Sequence, residues 1–174
     1  RIAQYRSKAQ DYIQAGNFPK ARVALRNVLK IDPKDAEAYF LVAQVEEKEK
    51  NWRNAVANYQ QVIEIIPDHK EALIALAKYY LEAKLADEVG RTADKVLKKH
   101  PQDPQAQALK IALLAQQDKL DQAMVRAEEL SKKHPTEPDV AILLATLYGQ
   151  MRRSQDARAT LQAALHAHPH HLDL

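Results

Sequence analysis

The sequence predicts an all-α protein built from consecutive pairs of antiparallel helices. Five prolines follow one another at a constant interval of 34 residues: Pro33, Pro67, Pro101, Pro135 and Pro169. The chain contains only three glycines, and helix-favouring residues such as alanine, leucine, glutamine, glutamate and lysine are abundant. Two amphipathic segments lie between successive prolines. A period of this length indicates a repeat protein whose unit is one pair of helices.

The second period shows how each pair is built. Tyr39, Val42, Ala43 and Glu46 have the i, i+3, i+4, i+7 spacing of one helix face. The polar stretch KEKN separates this segment from a second one, and each helix should be roughly 20 Å long at ~1.5 Å per residue. The predicted organisation is a single array over 1–174, with repeats at about 2–35, 36–69, 70–103, 104–137 and 138–171 and the start of a further repeat at 172–174.

One seven-residue pattern, with two lysines, a histidine and two prolines at fixed places, occurs twice, as KKHPQDP over 98–104 and as KKHPTEP over 132–138. The basic pair suits the negative end of a helix, and Pro101 cannot continue the hydrogen-bond ladder. Asp103 can cap the next helix, and Pro104 fits its first turn. The stretch is therefore predicted to be a repeated joint between helices, not a repeated functional site.

Small, aromatic and proline residues keep fixed places in the period, as the first repeat shows with Tyr5, Ala9, Tyr12, Ala21, Leu25 and Pro33. This pattern resembles the tetratricopeptide repeat (TPR) family, and the fourth repeat departs from it most, at Gln107, Lys110 and Ile111. The resemblance implies an α-solenoid that forms a right-handed superhelix. It also implies that the first helix of each pair lines the concave wall, where such arrays bind peptides.

The predicted partner-binding residues lie on the first helices, opposite the alanine column, at i, i+4, i+7 spacing. They are Arg6, Gln10, Ile13, Phe40, Gln44, Glu47, Ile74, Lys78, Leu81, Ile142 and Thr146. Several of them are apolar, which suits anchors for a peptide. The alternative is that these apolar residues pack between neighbouring helices.

Metal, cofactor and catalytic sites are not predicted. Three of the seven histidines, His100, His134 and His168, are one period apart. Stacked helix pairs are about 8–10 Å apart, whereas zinc ligands lie ~2 Å from the ion, so one ion cannot join two of them. Phosphate-binding loops, nucleophile elbows and zinc-helix motifs are absent from the sequence. We therefore expect a protein that is not an enzyme.

The composition also limits the classes of molecule that the protein is expected to bind. The formal net charge is +3 without a basic stripe, which argues against nucleic acid. The apolar runs are too short for membrane insertion, and cysteine is absent. The expected partner is a protein or peptide, and the expected role is a non-enzymatic interaction scaffold. The alternative is a docking or regulatory segment of a larger enzyme or assembly machine.

The two ends of the array differ in polarity. Gln4, Lys8 and Asp11 are polar where later repeats are apolar, which predicts an outer, capping face on the first helix. The last helix carries Ala163 and Leu165 without such a face, which predicts self-association through the C-terminal end. The first repeat also resembles those of bacterial envelope TPR proteins, which implies the periplasm or cell envelope.

Overall fold

The computed structural model describes residues 1–169 and forms ten helices within them, with no strand in that range. They are α1 (Ile2–Gln14), α2 (Phe18–Ile31), α3 (Ala36–Lys48), α4 (Trp52–Ile65), α5 (Lys70–Glu82), α6 (Ala86–Lys99), α7 (Pro104–Gln116), α8 (Leu120–Lys133), α9 (Pro138–Gln150) and α10 (Ser154–Ala167). The prediction of an all-α protein made of helix pairs is confirmed. The predicted start of a further repeat lies outside the described residues.

The chain divides into two compact units, Arg1–Leu76 and Ala77–Leu174, and the division falls inside α5. In the first unit, α1 packs on α2, α3 packs on α4, and α2 contacts α3. In the second unit, α7 packs on α8, α9 packs on α10, and α8 contacts α9. Consecutive helix pairs therefore stack on one another within each unit.

Small residues let the two helices of a pair approach closely. Ala9 and Ala43 on the first helices, and Ala21 and Ala55 on the second helices, are all 0% exposed. In the second unit Ala77 and Ala123 are equally inaccessible, at 0%. Larger residues fill the space beside them, as Val28 does in the first unit and Leu130 in the second. The predicted alanine columns are therefore buried at these positions.

The joints between repeats are formed as the sequence predicts. α6 ends at Lys99, and α7 begins at Pro104. The Asp103 carboxylate accepts a hydrogen bond from the Ala106 N–H at 2.9 Å, and Asp35 accepts one from Ala38 at 2.9 Å. One period after Asp35, the same role falls to a histidine, since His69 Nδ1 accepts from the Ala72 N–H at 3.3 Å.

The turn inside every pair contains one residue with a left-handed backbone. The five positions are one period apart: Gly16, Lys50, Lys84, Asp118 and Arg152, with φ between 57° and 68°. The residue's own N–H and that of the next residue both donate to carbonyls of the preceding helix, as in Lys50 to Glu47 and Asn51 to Glu46. This is a Schellman motif, whose left-handed position usually holds glycine. Four of the five turns place a residue with a Cβ there.

Replacing these strained residues with glycine should stabilise the protein. A left-handed backbone costs an L-residue roughly 1–2 kcal/mol, so we expect Lys50→Gly to gain about 0.5–1 kcal/mol after the entropy cost of glycine. Gly16→Ala should lose about 1 kcal/mol through its backbone alone, because a Cβ built at Gly16 meets nothing within 4 Å. Thermal melts check both, with Lys50→Ala as the control that removes the side chain and keeps the strain. Equal melting temperatures for Lys50→Gly and Lys50→Ala would contradict the strain.

Candidate partner-binding surfaces

The first unit presents a wall of side chains from α1 and α3. Gln10 is exposed and Gln44 half-buried, and they occupy equivalent places on the two first helices. Neither amide makes a hydrogen bond with any residue in 1–169. Ile13 lies three residues after Gln10 on α1, and Phe40 lies four residues before Gln44 on α3, so each shares a helix face with one amide, and both are half-buried. The wall therefore combines unused amide donors and acceptors with partly exposed apolar groups.

Phe40 is held in place by two rings. Its ring centroid lies 5.7 Å from that of Tyr59 in an edge-on arrangement, and 5.0 Å from that of His69. The Tyr59 hydroxyl donates to Glu47 Oε2 at 2.8 Å. Glu47, a predicted wall residue, is thus engaged within the unit. The contacts fix the orientation of Phe40 while leaving part of its ring accessible.

Arg6 is tied to the start of the next first helix. Its Nη2 lies 3.0 Å from Asp35 Oδ2, and the Asp35 side chain is only 4% exposed. The Arg6 Nε atom is buried and makes no hydrogen bond with the described residues. Because the other Asp35 oxygen caps α3, one carboxylate links the helix start to the α1 wall. Part of the Arg6 guanidinium is therefore occupied by an ion pair within the first unit.

A second ion-pair network lies away from the wall and joins α2 to the turn between α3 and α4. Arg22 Nε donates to Glu46 Oε1 at 2.8 Å, and its Nη2 donates to Glu49. Asn51 donates to the other Glu46 oxygen at 2.9 Å. The hydrogen bond from Arg22 lowers the pKa of Glu46, and burial opposes this effect. The same bonds raise the pKa of Arg22, so both groups stay charged at neutral pH.

In the second unit, an ion pair crosses the wall. Lys78 Nζ on α5 donates to Asp139 Oδ1 on α9 at 2.7 Å, and Gln105 of α7 donates to Asp139 Oδ2. Asp139 is 17% exposed and Lys78 is 45% exposed. Three successive first helices are thus joined by one carboxylate. Sequence reasoning missed Gln105 and Asp139, although both belong to a polar column one period apart with Glu37 and Glu71.

The remaining predicted wall residues of this unit differ in how exposed their side chains are and in whether they already make a hydrogen bond. Leu81 and Ile142 are half-buried, and Thr146 is exposed but donates to the Ile142 carbonyl of its own helix at 2.8 Å. The equivalent places on α7 hold Ala108, Ala112 and Ala115, which the sequence prediction did not include. The part of the wall formed by α7, between α5 and α9, therefore carries only small side chains.

Ile74 is the predicted wall residue with the least exposure, at 4%. It lies on the part of α5 that belongs to the first unit. At this position the burial agrees with the alternative given above, that the apolar residue packs between neighbouring helices and does not contact a partner. Ile13, Phe40, Leu81 and Ile142 each keep partial exposure, so they are the apolar residues that a partner can reach.

A group of carboxylates lies near the start of α9. Partial burial, followed by repulsion from Asp139 and Asp103, raises the pKa of Glu137. His134 and His168 lie close enough to oppose this shift. Residues 1–169 hold no cluster of three or more side chains arranged to bind a metal. His170 and His171, the last two of the seven histidines in the sequence, lie outside the described residues.

The outer helices expose much of their surface. Gln4, Lys8 and Asp11 of α1 are exposed, whereas their counterparts Ala38 and Val45 on α3 are buried. On α10, Ala164 is buried, while Ala163 and Leu165 are exposed, Leu165 at 43%. Among the described helices, none has the length and apolar character needed to cross a bilayer.

The stacked helix pairs and their wall of first-helix side chains define a helical-repeat interaction scaffold. Two tetratricopeptide repeat family models match residues 6–68 and 46–113. A third, described as the N-terminal TPR repeats region of Psidin, matches residues 90–174. The chain belongs to the tetratricopeptide repeat family.

Solved structures show the same fold at low sequence identity. A thermophilic TPR protein of Thermus thermophilus has a TM-score of 0.75 at 18% identity, over 99% of this chain and 94% of its own. MamA from Desulfovibrio magneticus RS-1 gives 0.71 at 16% identity, over 95% and 94%. PilF of Pseudomonas aeruginosa gives 0.70 at 23% identity, over 95% and 76%. A comparison with curated protein sequences found no match.

Proposed function

We propose that this protein is a non-enzymatic scaffold that binds a peptide or helix of a partner protein along its first helices. The observation that carries the proposal is the pair of unused amides, Gln10 and Gln44, between the partly exposed Ile13 and Phe40. An amide side chain can donate and accept at once, which suits the backbone of a bound peptide. Phe40 supplies an orientated apolar anchor of the kind that dominates binding energy at interfaces.

The second unit offers a different kind of wall. Leu81 and Ile142 are half-buried, and the small side chains of α7 leave room for the partner's backbone or side chains. The main cation, Lys78, already bonds to Asp139 at 2.7 Å. A partner that binds here would therefore use apolar contacts more than charge.

Self-association through α10 is a further part of the proposal. Leu165 is 43% exposed on one side of α10, and Ala159 and Ala163, four residues apart on another side, are also exposed, so the described part of α10 carries accessible apolar surface. A second copy of the chain could cover it, because apolar patches favour association. The contact would leave the walls of both units free for a partner.

Site-specific photo-crosslinking in cells tests these assignments. A photoreactive residue at Gln44 or Thr146 should give a discrete adduct with a partner protein, and one at Ala163 should give a dimer of this chain. The same residue at Arg26, which is exposed on α2 and lies outside both proposed surfaces, is the matched control. Equal adducts from Arg26 and Gln44 would refute the wall as the partner site. A lack of dimer from Ala163 would refute self-association without affecting the wall.

Phe40→Ala gives an independent readout. Because the ring is only half-buried, its removal should weaken the Gln44 adduct severalfold while leaving the helical content unchanged. Ile74→Ala is unsuitable for this purpose, since Ile74 is 4% exposed and its truncation would act on the core.

A further inference from the structure

A groove of about 350 Å³ lies on the flank of the second unit, between α6, α7 and α8. Its floor is apolar and consists of Leu97, Ile111 and Leu130. Ile111 and Leu130 are 5% and 3% exposed and belong to the core, whereas Leu97 is half-buried. The volume is at the low end of ligand pockets, so the groove suits one or two side chains and not a large molecule.

Two cations without partners border this floor. Arg126 and Lys133 are exposed on α8, and neither makes an ion pair or hydrogen bond with any residue in 1–169. Seven residues of helix place them on nearly the same face, about 10 Å apart along the axis. A third lining cation, Lys110, is neutralised because it donates to Asp94 Oδ1 at 2.8 Å.

One carboxylate, Glu129, also lines the groove. It lies between Arg126 and Lys133 in the sequence, and it too makes no bond with residues in 1–169. It lowers the positive potential of the rim without removing it. The groove therefore has an apolar floor and a net positive rim.

The groove is separate from the wall of first helices. At about 100° per residue, Gln107, Lys110 and Ile111 lie roughly a third of a turn around α7 from Ala108, Ala112 and Ala115. The first set faces the groove, and the second is in register with the wall residues. A ligand in one place leaves the other open.

We propose that this groove is a second docking site, which takes a short acidic segment of a partner protein with a leucine-like side chain at its centre. The leucine would contact Leu97 on the apolar floor, and flanking carboxylates would bind Arg126 and Lys133. In an extended peptide, two glutamates four residues apart point to the same side as the leucine midway between them and are about 13 Å apart, which is comparable to the separation of the two cations. The site is additional to the wall of the proposed function and does not depend on it.

The test uses the full chain and a fluorescein-labelled peptide of sequence EELLEE, with binding measured by fluorescence anisotropy at low salt. Saturable binding is expected. Reversing both cations, Arg126→Glu with Lys133→Glu, should weaken it at least tenfold. The matched control, Lys132→Glu with Arg158→Glu, makes the same change of charge at exposed positions outside the groove and should stay within twofold.

A variant that gains affinity excludes misfolding as the explanation. Glu129→Gln removes the one carboxylate from the lining and should strengthen EELLEE binding about threefold, since a like charge near the ligand is lost. No change in this variant would overturn the placement of the peptide carboxylates. Circular dichroism of every variant should match the parent.

The apolar part of the proposal needs its own comparison. EEGGEE should bind at least fivefold more weakly than EELLEE, and Leu97→Gln should reduce the affinity for EELLEE towards that of EEGGEE. Equal binding of the two peptides would reduce the groove to a charged surface and overturn the proposal. Equal weakening of EELLEE binding by the two double charge reversals would also overturn the proposal. The same holds if an oligonucleotide of equal charge binds as tightly as EELLEE.

Discussion

Ala43→Glu is expected to unfold the first unit. Ala43 is 0% exposed at the contact between α3 and α4, so a glutamate there has neither space nor a partner. An unpaired buried carboxylate costs several kcal/mol, a large part of the roughly 5–15 kcal/mol that stabilises a folded protein. Ala77→Glu should act in the same way on the second unit, where Ala77 is also 0% exposed.

Thermal and urea unfolding followed by circular dichroism measure this effect. Gln10→Glu is the matched control, because it places a glutamate on α1 at an exposed position. We expect the control to melt within a few degrees of the parent. If Ala43→Glu melted as the control does, Ala43 could not lie in the core and the register of the helix pairs would be wrong.

Acid should weaken the first unit through Glu46. The hydrogen bond from Arg22 lowers the pKa of Glu46 below its unfolded value, so the bond stabilises the fold above that unfolded value, about 4.3. The stabilisation is lost as pH falls through the lower, folded pKa. Glu46→Gln should therefore cost about 1–2 kcal/mol at pH 7, since Glu46 has an 8% exposed side chain but Arg22 is 29% exposed.

The pH dependence separates this bond from simple packing. The stability difference between the parent and Glu46→Gln should be largest at neutral pH and should shrink below about pH 4.3. Urea unfolding at a series of pH values from 7 to 3 measures it. Glu82→Gln, at an exposed position, should show no such difference. A constant difference at all pH values would show that the charge of Glu46 contributes nothing.

The helix pairs could be predicted from the sequence because local chemistry repeats at a constant interval. Pro101, Asp103 and Pro104 end one helix and start the next without help from distant residues. The left-handed turn column could not be predicted, because glycine marks it only at Gly16. A lysine in the equivalent place, Lys50, looks like any exposed polar residue in the sequence.

The wall was harder to predict than the helices, since a helical face shows where a side chain points but not what it meets. Lys78 and Asp139 are 61 residues apart, and their pairing depends on how three first helices pack. Ile74 follows the same spacing as Phe40, yet one is buried and the other keeps partial exposure. The flank groove depends on three helices at once, and no single periodic pattern in the sequence indicates it.

The Lys78–Asp139 ion pair also affects how the second unit responds to ionic strength. Because this cation is already neutralised, binding at the wall should change little between dilute and concentrated buffer. Arg126 and Lys133 on the flank have no such internal counterion among the described residues, so their attraction for an acidic segment should fall steeply as added salt shortens the screening length from about 30 Å at 0.01 M to about 10 Å at 0.1 M. Salt concentration alone could therefore shift which of the two surfaces holds a partner.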